Sequence, residues 1–140
     1  MMSSIRQDWA TPRQLFEMLD REFHFTLDAA ADSSNAKCEE YFGCGSLDRP
    51  WVPLKDGAIW CNPPYGPRLG NWVEKAFRET IGRKYGVAVL LLPARTDTKW
   101  FHDYCLKGEI RFLRGRLNFD DTRHARAPFP SMIVIFRGRG

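Results

Sequence analysis

Apolar side chains recur at helical spacing through Leu15, Phe16, Met18, Leu19 and Phe23, directly behind Thr11 and Pro12. Threonine can cap the unpaired amides of a first turn, and the fixed φ of proline suits the first helical position, so the pattern predicts a helix over 12–22. Phe25 to Ala30 then reads as a short buried strand that ends at Asp28. From Asp32 to Pro53 the chain is rich in Ser, Gly and Asp and has no period, which predicts irregular structure with one turn of helix near 35–41. Ala58–Cys61 is a strand, and Trp72, Val73, Ala76, Phe77 and Ile81 mark the helix after it. Val87 to Pro93 is an unbroken apolar strand of the kind covered on both faces. A helix over 98–106 and strands over 109–113 and 132–136 follow, with a basic, polar loop from about 118 to 130 between the two strands.

Strands alternating with helices predict an α/β fold, a mostly parallel sheet with helices on both faces. The last two strands have no helix between them and are expected to pair antiparallel. The 140 residues are expected to form a single domain, with no repeat, linker or separate target-recognition domain. Ligands of such sheets bind beyond the carboxyl ends of the strands, where Asp28 and Asn62 both fall.

The strand over 58–61 runs straight into Asn62, Pro63, Pro64 and Tyr65. Each proline fixes its own φ and pushes the residue before it toward extended backbone, so the loop is stiff. It offers an amide, backbone carbonyls and an aromatic face. That set suits a flat ring bearing an exocyclic amino group. The amino nitrogen of adenine is a poor nucleophile because its lone pair is delocalised. If the Asn62 side-chain oxygen and the Pro63 carbonyl accept its hydrogens, the lone pair localises, while Tyr65 stacks on the ring. A neutral amide does this without the desolvation cost of an isolated carboxylate. The plain alternative is a strand ending in a rigid proline turn.

Asp8-Trp9-Ala10-Thr11-Pro12, Phe25-Thr26-Leu27-Asp28-Ala29-Ala30, Cys61-Asn62-Pro63-Pro64-Tyr65-Gly66, Leu92-Pro93-Ala94-Arg95-Thr96-Asp97 and Pro128-Phe129-Pro130-Ser131-Met132 follow one another in the order of a known family. Over roughly residues 7–137 the chain resembles the phage-type DNA N6-adenine methyltransferases (Dam), which use S-adenosylmethionine. The resemblance implies a reduced Rossmann-like methyltransferase sheet with an antiparallel C-terminal strand. It makes Asn62, Pro63, Pro64 and Tyr65 the catalytic set. Asp28, Ala29 and Ala30 stand where a glycine-rich cofactor turn is usual, and small residues still allow close backbone approach. By resemblance Asp28 takes a hydrogen bond from the cofactor amino group or its water, Thr11 and Pro12 line the methionine end, and Asp48 faces the cofactor adenine. Asp28 also reads as a helix cap. Glu39 and Glu40 read as surface charges and Trp51 as core.

The net charge of +4 fits a polyanionic partner without requiring one. Arg68, Arg95, Arg114, Arg116, Arg123 and Arg126, with His124, are the candidates for DNA phosphates around a flipped adenine. A solvated basic loop is the alternative for the cluster over 114–126. No apolar stretch approaches a membrane span, the four cysteines show no paired CxxC spacing, and the three histidines form no ligand motif. A reduced, metal-free protein of the cytoplasm is therefore expected, in a host's cytoplasm if the gene is a phage's. With only loops to read base edges, sequence preference should be short or relaxed unless a partner or homodimer adds contacts. Two alternatives stay open: methylation of N4 of cytosine or another amino group on the same fold, and a DNA-binding module without catalysis.

Overall fold

The computed structural model describes residues 10–119 and 126–139. Helix α1 (Arg13–Phe23) starts at Pro12 and buries Leu15, Phe16 and Leu19. Strand β1 (Phe25–Asp28) follows, then a two-residue strand β2 (Glu40–Tyr41), a single 3-10 turn at Ser46–Asp48 and strand β3 (Ala58–Cys61). Helix α2 (Leu69–Glu79) returns to β4 (Val87–Pro93). A short helix α3 (Lys99–Asp103), begun by a Thr98 hydroxyl that accepts from the Phe101 amide, leads through a 3-10 turn to β5 (Glu109–Phe112) and β6 (Ser131–Arg137). The helix expected over 98–106 is thus an α-turn and a 3-10 turn in series.

The six strands lie in the order β2-β1-β3-β4-β6-β5. β1, β2, β3 and β4 are parallel, whereas β6 fills the slot between β4 and β5 and is antiparallel to both. The turn of helix expected near 35–41 is corrected to turns ending in β2, which pairs with β1 at Leu27↔Glu40 and Asp28↔Tyr41. The cause is local. Asp32 accepts the Ser34 amide on its side chain and Asn35 accepts the Asp32 amide, so side chains take hydrogen bonds that a helix would form along its backbone.

Period-two alternation sorts the strand residues onto two faces. Trp60, Val89, Leu91, Ile133 and Ile135 pack with Leu15, Phe16 and Leu19 of α1. Ile59, Cys61, Leu90, Leu92, Met132, Val134 and Phe136 pack with Leu69, Val73 and Ala76 of α2 and Phe101 of α3. Covering both faces explains why β4 reads as an unbroken apolar run. It also leaves the carboxyl ends of β1, β3 and β4 as the open rim of the molecule.

Candidate active site

Cys61, fully buried at the end of β3, is filler: burial pushes its thiol well above the ordinary range. The chain then leaves the sheet through Asn62, Pro63, Pro64 and Tyr65. Asn62 Nδ2 donates to the Thr11 hydroxyl at 3.0 Å, which ties the loop to the start of α1. Pro63 is buried and Pro64 exposed. Tyr65 is turned inward: its hydroxyl donates to the Leu91 carbonyl at 3.0 Å, its ring meets the edge of Phe129 at 5.6 Å, and burial raises its pKa far above that of a free phenol. In this conformation the ring props the loop from beneath and presents no face to an incoming base.

Beside the loop lies a cavity of about 660 Å³ whose walls include Thr11, Asp28, Ala30, Trp60, Asn62 and Pro64. Ligand cavities of small molecules have this size. A second hollow of about 380 Å³, with Asp48 and Arg68 in its wall, shares Gly43, Cys44, Pro64 and Trp72 with the first, so the two form one trough. A slightly larger hollow of about 690 Å³ opens at the opposite end of the sheet, beside Ala58 and Val87 where β3 and β4 begin, and touches none of these residues.

Asp28 is only 2% exposed, and both its oxygens are engaged. Oδ1 accepts the Ala30 amide at 3.2 Å and Oδ2 the Lys37 amide at 3.0 Å, so the carboxylate shapes the loop that follows it. Burial raises its pKa to about 6, against the lowering effect of those two amides. The opposite wall is tied in by Ser46, whose hydroxyl donates to the Ala29 carbonyl at 2.6 Å and whose carbonyl accepts the Trp51 indole N–H at 2.9 Å.

The Asp28 carboxyl sets a pH dependence. Because its folded value of about 6 lies above 3.8, the native state holds the proton more tightly between those limits. The stability it contributes is therefore fullest below about pH 4 and falls by about 3 kcal/mol as pH rises through 6. A cationic ligand beside it favours the ionised form and has the reverse dependence. Calorimetric titration with S-adenosylmethionine is expected to show affinity falling about tenfold per pH unit below pH 6 and level above pH 7. A flat profile from pH 5 to 8 would remove Asp28 from contact with the ligand's charge.

The structure brings Thr11, Asp28, Ala30, Asn62 and Pro64 to one cavity, with Asp48 and Arg68 in the adjoining hollow. Pro12, Ala29, Pro63 and Tyr65 are buried behind that wall. Arg68, Arg95, Arg114, Arg116 and Arg126 are all exposed on loops at the carboxyl-end rim. Arg126 also forms an isolated antiparallel bridge with Asn118. Arg123 and His124, like Asp8 and Trp9 of the first motif, lie outside the described residues. Trp60 and Trp72 line the cavity although sequence marks them only as element residues. No sequence signal singled them out, because tryptophan serves core and cleft alike. Trp51 is core, 1% exposed, while Glu39 pairs with Lys55 at the surface and Glu40 accepts the Leu54 amide.

Among the described residues, no cluster of three or more His, Cys, Asp or Glu could hold a metal ion, and no helix is long and apolar enough to cross a membrane. Parallel strands opening on one trough, a reversed strand between β4 and β5, and an Asn-Pro-Pro-Tyr loop at the rim are compatible with the Rossmann-like methyltransferases. The assignment becomes specific on comparison with known proteins: residues 1–139 match the DNA N-6-adenine-methyltransferase (Dam) family, and the chain belongs to it. A relative named DNA N-6-adenine-methyltransferase, from Escherichia phage T1, is 34% identical over 101 residues, 70% of this chain and 40% of the relative. The chain thus aligns with less than half of that relative's length. Membership of a methyltransferase family implies S-adenosylmethionine as the methyl donor in general.

Proposed function

We propose that this chain transfers a methyl group from S-adenosylmethionine to N6 of adenine in DNA. The observation that carries the proposal is the shared cavity: Asn62, at the end of β3, and Asp28, at the end of the neighbouring β1, stand in one wall system. An amino-group acceptor and an anion for a cationic ligand therefore meet within one ligand-sized space.

The cavity fits the cofactor by its chemistry. Ala30, Ala31 and Gly43 leave room for close backbone approach, Trp72 and Pro64 supply apolar faces, and Asp28 supplies the charge complementary to an ammonium. When bound, the sulfonium centre of S-adenosylmethionine provides the electrophilic methyl group. The protein then has to align and to accept hydrogen bonds. The Asn62 side-chain oxygen and the Pro63 carbonyl accept from the adenine amino group and draw its lone pair out of the ring. Neither needs to ionise.

Base access follows from the rim. An adenine inside a duplex cannot reach the trough, so it must be extruded. The exposed Arg68, Arg95, Arg114, Arg116 and Arg126 would neutralise phosphates around it. Incubation with unmethylated DNA and S-adenosylmethionine carrying a labelled methyl group, followed by nucleoside mass spectrometry, tests the reading. Labelled N6-methyladenine is expected. Label confined to cytosine, or cofactor binding without any labelled nucleoside, would overturn it.

A further inference from the structure

Thr11 stands one residue before Pro12, which occupies the N-cap position of α1 and has no side-chain oxygen to cap the first turn. The hydroxyl of Thr11, a residue only 5% exposed, accepts from Asn62 Nδ2 at 3.0 Å, across 51 positions of sequence. The hydroxyl just ahead of the helix start thus serves the loop opposite.

We propose that Thr11 is a positioning residue for methyl transfer, holding the Asn62 amide so that its nitrogen is engaged and its oxygen serves as the acceptor. The inference rests on the reading of Asn62 as the acceptor for the substrate amino group. An amide offers two ends of nearly the same shape, one donating and one accepting, and only the accepting end can draw on the lone pair of an amine. A hydroxyl that takes the N–H fixes both the plane and the end. The support beneath it is rigid. Pro12 sets its own φ at −58°, its carbonyl accepts the Phe16 amide at 3.1 Å, and Leu15, Phe16 and Leu19 seat α1 on the sheet. Thr11 is therefore held by the fold rather than by the ligand.

Thr11→Val keeps the shape of the side chain and removes the hydroxyl, whereas Thr11→Ser keeps the hydroxyl. In single-turnover transfer to DNA, Thr11→Val is expected to be slower by about tenfold or more, with Thr11→Ser within about threefold of the parent. Thr11 also lines the cavity, so affinity for S-adenosylmethionine can shift as well; in Thr11→Val the fall in transfer rate at saturating donor is expected to exceed any fall in calorimetric affinity by about threefold or more. The proposal fails if Thr11→Val transfers at the parent rate, if Thr11→Ser is as slow as Thr11→Val, or if the whole loss lies in cofactor affinity. Thr11→Cys, close in volume and a weak acceptor, carries the same test should the valine protein not fold. Asn62→Ala separates the two levels: retained transfer in that variant removes the reading of Asn62, whereas an inactive Asn62→Ala beside a fully active Thr11→Val removes only the role of Thr11.

Discussion

Asn62→Ala is expected to lower the rate of methyl transfer by about 10²–10³-fold or more, while S-adenosylmethionine binds within about threefold of its normal affinity. The asymmetry follows from where the residue stands. Asn62 is one of several residues around a trough whose other surfaces, Asp28, Ala30, Trp60 and Trp72, remain intact in the variant. What disappears is the side-chain oxygen proposed to accept from the reacting nitrogen, and no neighbouring side chain in the loop replaces it: Pro63 and Pro64 lack one and Tyr65 donates to Leu91. Single-turnover transfer with a labelled donor and calorimetry on the same preparation give both quantities. A proportional fall in both would make Asn62 part of the cofactor wall, and undiminished transfer would end its catalytic assignment.

Trp60→Ala is expected to cost about 3–5 kcal/mol of stability, a large share of the ~5–15 kcal/mol that holds a domain of this size together. Trp60 is 1% exposed on β3, and its ring lies 5.4 Å from both Phe16 of α1 and Phe25 of β1, edge-on to the first. Deleting it opens a hole between the sheet and the helix, which rigid strands on either side cannot close. Urea unfolding should show a lower midpoint at unchanged slope. Because Thr11 leads through Pro12 into α1, the same variant should also slow methyl transfer. A loss below about 1.5 kcal/mol would show instead that α1 can settle onto the vacated space.

Burial on both faces made the central sheet legible. β4 has no polar side chain to confuse its assignment, and α1 and α2 repeat their apolar positions at helical spacing. β2 was illegible for the opposite reason. Glu40 and Tyr41 carry no strand pattern of their own, and their extended form is imposed by pairing with Leu27 and Asp28. The site divides in the same way. The Asn-Pro-Pro-Tyr loop announces itself because proline acts on local backbone, and Asp28 because it ends an apolar strand. The direction of Tyr65 could not be read, since residue type gives a ring but not the Leu91 carbonyl and the Phe129 edge that hold it. Thr11 looked like a helix cap because local rules see four residues ahead, not a partner 51 positions away.

The place of β6 also governs how the molecule must assemble. β4 runs through the middle of the sheet, yet one of its two edges is completed only by residues 131–137, which pair with it along its whole length and with β5 on their far side. While the chain is being synthesised, Leu90, Leu91 and Leu92 are therefore made some 40 residues before the strand that covers their edge. Until β6 arrives, β5 has no neighbour to join it to the sheet. Such non-local pairing is paid in loop closure before any contact rewards it, so folding should be slow relative to helical domains of the same size and should finish only after translation of the last strand. An unfinished chain exposes an apolar strand edge, which is open to pairing with other chains until β6 covers it.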